Sequence, residues 1–232
     1  MQLTKNLKIM KNSYWDNFKK KNLKNYHFNQ KSKKKDYQYI GNILTDYKNI
    51  DLLVDKVKKT HKPYHVFKKA PGMASKEILQ RIQSFKDWGY TKNNTIYYQI
   101  FSSEYKEIFD KFIKVTKLEK ATSSIIIQFP GQTIPWHYDT HITFYKMLEK
   151  LKIKKKPIRY MVFLKDWDWG HNFSVGSSIV NKWKKGDIIT WDPKIFHTGS
   201  NGGMSPKITM NITGLINKES IHLNNKPKVY KI

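Results

Sequence analysis

The 232-residue chain contains no cysteine. Its absence excludes a disulfide framework, a zinc-thiolate site and an iron-sulfur cluster, and it suits a reducing cytoplasm, the compartment expected here. Long apolar runs are missing as well. The N-terminal MQLTKNLKIMKN has no signal-peptide core, and no stretch approaches the roughly 20 apolar residues that cross a bilayer. The expectation is a soluble chain with no membrane partner. Arginine is almost absent: only Arg81 and Arg159 occur, so 42 of the 44 basic residues are lysines. Base reading and bidentate phosphate grip favour the guanidinium fork, so a specific nucleic-acid partner is not expected despite a net charge of +26. Lysine, asparagine and isoleucine are all abundant, the mark of an AT-rich coding sequence, which accounts for much of that charge.

What is present is unevenly distributed. Residues 1–69 hold 18 lysines against 5 acids, half of the net charge in under a third of the length. This division gives a basic, partly helical N-terminal extension over 1–95, a core over 96–217 and a C-terminal tail over 218–232. In the extension, Lys31 to Lys35 reads as a solvated loop. Asp51 to Lys59 reads as a short helix with Leu52, Leu53 and Val57 inward, and Ser75 as the cap of a helix carrying Ile78, Leu79, Ile82 and Phe85 on one face and ending before Gly89. Ile96 to Phe101 is strand-like, and Ser103 opens a helix with Tyr105, Ile108, Phe109, Phe112 and Val115 at helical spacing. After it come short apolar segments at Ser124–Phe129, Thr133–Asp139, Ile158–Lys165, Ser177–Trp183, Asp187–Trp191, Phe196–Ser200 and Lys207–Leu215, with turn signals between them. Many short strands without long helices between them predict a mainly β protein, an antiparallel sandwich or barrel with helical elements at its N-terminal side.

Chemistry concentrates in four residues. His137 and Asp139 stand two apart, so on a strand both point from one face. His197 follows 58 positions after Asp139, behind the Gly-Asp turn and apolar strand of Gly186 to Trp191, and Lys207 comes ten positions later. Two imidazoles and one carboxylate make the set that holds Fe(II) on one face and leaves positions open. In Lys207-Ile208-Thr209-Met210-Asn211-Ile212-Thr213 every odd position is polar and every even one apolar. If the polar face points into a barrel, Lys207 can meet a carboxylate with Thr209 beside it; if it points outward, this is an ordinary half-buried strand. His141 would share the face of the pair on a continued strand, but a fourth protein ligand would block the open positions. His27, His61, His65, His171 and His222 lack a partner pattern and read as surface or loop residues. Trp136, Trp167, Trp169, Trp183 and Trp191 read as core and rim packing. Lys150 to Lys156 reads as an exposed loop at the mouth, able to act as a lid.

From Ser124 to Leu215 the sequence resembles the Fe(II)/2-oxoglutarate-dependent oxygenases, whose motif is H-x-D, a distal His and a basic residue about ten positions on. The resemblance implies a double-stranded β-helix (jelly-roll) core with Fe(II) on His137, Asp139 and His197. It also implies 2-oxoglutarate and O2 as cosubstrates, with Lys207 and Thr209 on the far carboxylate. The ten-residue step to a lysine, and Arg159 to Leu164 after the metal pair, are most similar to prolyl 4-hydroxylases. Trp169 to Phe173 stands where that group has Gly-Gly-x-Thr-x-Phe, which argues against a prolyl peptide. Phe129-Pro130-Gly131 with His137 and Asp139 is similar to phytanoyl-CoA-type members, which carry lysine where Gln128 lies; glutamine can still hydrogen-bond a carboxylate. Thr213 occupies the place of the second arginine of nucleic-acid demethylases and argues against that branch. Arg159 is either a further cosubstrate or substrate contact or a structural salt bridge. The implied reaction is hydroxylation of a small-molecule or peptidyl substrate with release of succinate and CO2. The competing reading is a noncatalytic basic jelly-roll module that binds nucleic acid or another anion.

Overall fold

The structure is a computed structural model that describes residues 35–67, 76–101, 105–221 and 226–232. The expectations for His27, His222, the loop at 31–34 and the caps at Ser75 and Ser103 fall outside these residues. Twelve strands and four helices are described: β1 (Gln38–Leu44), α1 (Lys48–Thr60), β2 (Tyr64–His65), α2 (Lys76–Asp87), β3 (Ile96–Phe101), α3 (Lys106–Thr116), β4 (Glu119–Gln128), β5 (Gln132–His137), α4 (Ile142–Lys150), β6 (Pro157–Phe163), β7 (His171–Val175), β8 (Ser178–Val180), β9 (Asp187–Thr190), β10 (His197–Asn201), β11 (Lys207–Leu215) and β12 (Lys228–Lys231).

The strands form an eight-stranded sheet ordered β12-β1-β9-β6-β11-β4-β3-β2 and a four-stranded sheet ordered β5-β10-β7-β8. From β4 to β11 the chain switches sheet at every step except between β7 and β8, and the inner four strands of the large sheet (β9-β6-β11-β4) face the small one. This is the double-stranded β-helix, as expected. All pairings are antiparallel except that of β1 with β12. β1 and β12 lie outside 96–217 in sequence, and they extend the large sheet beyond β9.

Side-chain alternation sorts the large sheet into two faces. On one, Ile100, Ile125, Ile127, Ile208, Met210 and Ile212 pack with α1 and α3 through Leu53, Val57, Phe109 and Phe112. On the other, Met161, Phe163 and Ile189 meet Phe173, Val175, Trp183 and Trp191 between the sheets. Sealing both faces excludes water from the strands that position the site.

Four expectations need correction. Leu52 is 69% exposed; the inward stripe of α1 is Ile50, Leu53, Val54 and Val57, the i, i+3, i+4, i+7 set, from which Leu52 is rotated by about 100° per residue. A nine-residue helix, α4, stands between β5 and β6, anchored by Phe144 and Leu148 against Leu215. Lys150 is its last residue, and only the residues after it form the exposed turn. His171 is a buried residue of β7: its ring stacks on Trp183, and its Nε2 lies 2.9 Å from the Ser205 carbonyl. Trp136 and Trp169 are exposed, while Trp183 and Trp191 belong to the core.

Candidate metal centre

His137 is the last residue of β5 and His197 the first of β10, and the two are register partners. Asp139 lies past the end of β5, so the two-residue spacing does not act through a continuous strand. The Asp139 amide instead donates to the Pro193 carbonyl at 2.9 Å, pinning this turn to the segment that leads into β10. One ligand atom from each of His137, Asp139 and His197 lies within 4.8 Å of the others. The strand also stops before His141, which has φ 48° and opens α4; its carbonyl accepts from the Tyr145 amide.

Both imidazoles are oriented from behind. His137 Nδ1 lies 2.7 Å from the Pro135 carbonyl and His197 Nδ1 3.0 Å from the Ile195 carbonyl. A carbonyl only accepts, so Nδ1 carries the proton in each ring and Nε2 the lone pair, the tautomer a metal needs. The rings sit 4.3 Å apart between centroids. Trp191 and Phe173 cover His197, whose pKa is lowered by that burial. Burial alone would raise the pKa of Asp139, but Arg159 and then His197 and His137 hold it well below the usual carboxylate range. Asp139 Oδ2 is buried with no hydrogen-bond partner and lies 3.7 Å from His197 Nε2. An ionised, orphaned carboxylate oxygen facing two imidazole lone pairs fits a divalent cation: these three residues could hold one.

Lys207 opens β11 and is buried. Its Nζ donates to the Asn172 carbonyl at 2.7 Å and to Gln128 Oε1 at 3.1 Å, under the Phe173 and Trp183 rings. Among the described residues no carboxylate pairs with it, and burial pushes its pKa down to about 7. Gln128 is tied in turn: its Nε2 donates to the carbonyls of Gly199 at 2.8 Å and Gln132 at 3.3 Å. Gly199 keeps the space open, because a Cβ there would stand 2.9 Å from Lys207 Nζ. Thr209 follows as a buried residue on the same face of β11. The polar face of that strand thus points into the barrel.

Arg159 turns out to be bound to the metal set. Its Nη1 lies 2.5 Å from Asp139 Oδ1, its Nε donates to Thr213 Oγ1 at 3.1 Å, and its Nη2 is 3.3 Å from His141 Nδ1. Burial and then Arg159 push the His141 pKa down to about 4, so that ring is neutral. Beside this group opens a cavity of about 570 Å³, lined by Tyr97, Gln99, Ser124, Phe144, Asn211 and Thr213 among others. Sequence reasoning missed Gly199 and the Asn172 carbonyl. A glycine two positions after His197, on the same strand face, was the available signal for the first; a backbone acceptor leaves none.

No protein-family model matches the chain, and no curated protein matches it. Solved structures give distant likenesses. SnoN, a non-heme alpha-ketoglutarate-dependent epimerase from nogalamycin biosynthesis, is 7% identical with a TM-score of 0.48 over 77% of each chain. EvdMO1 is 11% identical with a TM-score of 0.46, over 76% of this chain and 46% of that one. The viral collagen prolyl hydroxylase vCPH of Paramecium Bursaria Chlorella virus-1, solved with 2OG, is 17% identical with a TM-score of 0.39, over 78% and 97%. At such values the fold rests on the strand order itself, and the site on its own geometry.

Proposed function

We propose that the protein is an Fe(II)- and 2-oxoglutarate-dependent dioxygenase that hydroxylates a C–H bond of a small-molecule or peptidyl substrate and releases succinate and CO2. The observation that carries this reading is the pairing of two groups inside one barrel. A His-Asp-His set borders the cavity, and a buried ammonium without a described carboxylate partner stands on β11 beside Gly199, two residues past His197. A metal alone needs only the first. A cosubstrate that chelates through one end and carries a carboxylate at the other needs both.

In this reading His137, Asp139 and His197 hold Fe(II), and Lys207 with Thr209 takes the far carboxylate of 2-oxoglutarate. When bound, the iron would supply the chemistry that activates O2 at the expense of 2-oxoglutarate. The protein's part is placement. The Pro135 and Ile195 carbonyls fix the two rings, Gln128 and Asn172 aim the Lys207 ammonium, and Gly199 leaves room beside it. Phe163, Phe173, Trp183 and Trp191 keep water from the inner end, where a charge pair is strongest. The cavity beside Asp139 receives the substrate.

Succinate release tests the reading. Wild-type protein with Fe(II), O2 and 2-oxoglutarate should release succinate slowly alone and faster with the right member of a panel of amino acids, prolyl peptides, acyl carriers and nucleic acids. Asp139→Ala should abolish both rates. Release no higher than in an iron-free control would overturn the proposal.

A further inference from the structure

The Asp139 carboxylate has two oxygens in different situations. Oδ1 is held by Arg159, whereas Oδ2 is buried, without a hydrogen-bond partner, and turned toward His197 Nε2. All three guanidinium nitrogens of Arg159 are committed. Nη1 meets Asp139, Nε donates to Thr213, its register partner on β11, and Nη2 meets His141. With every nitrogen placed, the plane of the guanidinium is fixed, and with it the position of the one Asp139 oxygen it holds. Histidines aside, Arg159 is the only basic side chain among the described residues lining the cavity, and it is engaged with a candidate metal ligand.

We propose that Arg159 is a positioning residue that makes Asp139 a one-oxygen ligand: it occupies Oδ1 and leaves Oδ2 alone for the metal. The inference rests on the metal site proposed above and deepens it. Carboxylates bind cations through one oxygen or two, and nothing in the carboxylate itself selects between these modes. Here the difference decides function. Two imidazoles and one carboxylate oxygen would leave open positions for a keto acid and for O2. A second carboxylate oxygen would take one of them. A lysine could not do the same, because one ammonium on a flexible stem cannot hold Asp139 and Thr213 in a single plane.

The test measures two affinities anaerobically on the full chain: that for Co(II), by chelator competition, and that of the Co(II)-loaded protein for 2-oxoglutarate. In Arg159→Leu, Asp139 is free to add its second oxygen. Metal affinity should stay within about threefold, 2-oxoglutarate affinity should fall at least about tenfold, and the Co(II) ligand-field spectrum should change. A partner that merely supports a ligand would instead cost the metal affinity itself about 10–100-fold when removed. Arg159→Gln, which keeps one donor for Oδ1, should recover part of the cosubstrate affinity; it also decides the matter if the leucine variant does not fold. Variants that bind both molecules like the wild type, or that lose both affinities together, overturn this inference alone. A folded wild type that binds no metal overturns the metal site and this inference with it.

Discussion

Around Lys207 the barrel offers an amide oxygen, a peptide carbonyl and two ring faces, so the ammonium is charged at a cost, and burial pushes its pKa down to about 7. A carboxylate binds the charged form. Affinity for 2-oxoglutarate should therefore be level below about pH 6 and fall about tenfold per unit above about pH 7. Calorimetric titration across pH 6 to 9 checks this slope, and Lys207→Met should weaken binding and flatten it. In the cosubstrate-free protein the sign is opposite. From about 7 up to the ordinary lysine value of 10.5 the unfolded chain binds more protons, so this residue makes stability rise with pH. Gly199→Ala pushes on the same ammonium, since the new Cβ would stand 2.9 Å from Nζ. Its predicted effect is a loss of about 1.4 kcal/mol in cosubstrate binding, about tenfold, with metal affinity unchanged. Equal affinities in the alanine variant would show that Lys207 is not the carboxylate partner. That His137, Asp139 and His197 come together was legible because the distal histidine adds to a pair that by itself is common, and the burial of Lys207 was legible in the alternation of its strand. Arg159 was singled out with a salt bridge as one of its two readings, but its partner was not legible, because no spacing rule links residue 159 to Asp139; β6 and β11 bring it there through Thr213.

Among the elements, β11 was the most legible, because strict alternation from Lys207 to Thr213 has one structural meaning whichever face is wet. β7 was hidden. His171 to Val175 holds only two apolar residues, Phe173 and Val175, an alternation too short to mark a strand by itself, and its polar Ser174 and His171 are buried as well. α4 was hidden for another reason: its N-cap, His141, lies in the left-handed region and makes no side-chain cap, so no capping residue signals its start. α1 was read as a helix but with one residue on the wrong face, and this gives a sharp comparison. Leu53 is buried and Leu52 exposed. Leu53→Ala should cost about 2–5 kcal/mol and Leu52→Ala less than about 0.5 kcal/mol in chemical denaturation. Equal costs would contradict the packing of α1 on the sheet.

The whole molecule carries +26, yet the lining of its cavity contains, apart from histidines, one described cation and one described anion paired with each other. The lining of this cavity thus does not share the excess of positive charge, which composition alone could not reveal. Nucleic acid should bind weakly, with a steep decline as salt rises, and His137→Ala should not change that binding. A salt-resistant interaction lost in the same variant would place nucleic acid at the metal centre and revive the basic-module reading. No described helix is long and apolar enough to cross a membrane. The central claim is that the barrel holds a metal and a keto dicarboxylate together, and anaerobic spectroscopy reads this most directly. Fe(II) and 2-oxoglutarate added to the wild type should give the weak visible charge-transfer band of an iron-bound keto acid. The band should be absent from folded His137→Ala and should need much more 2-oxoglutarate in Lys207→Met. A well-folded wild type that gives no band at saturating Fe(II) and 2-oxoglutarate would contradict the account.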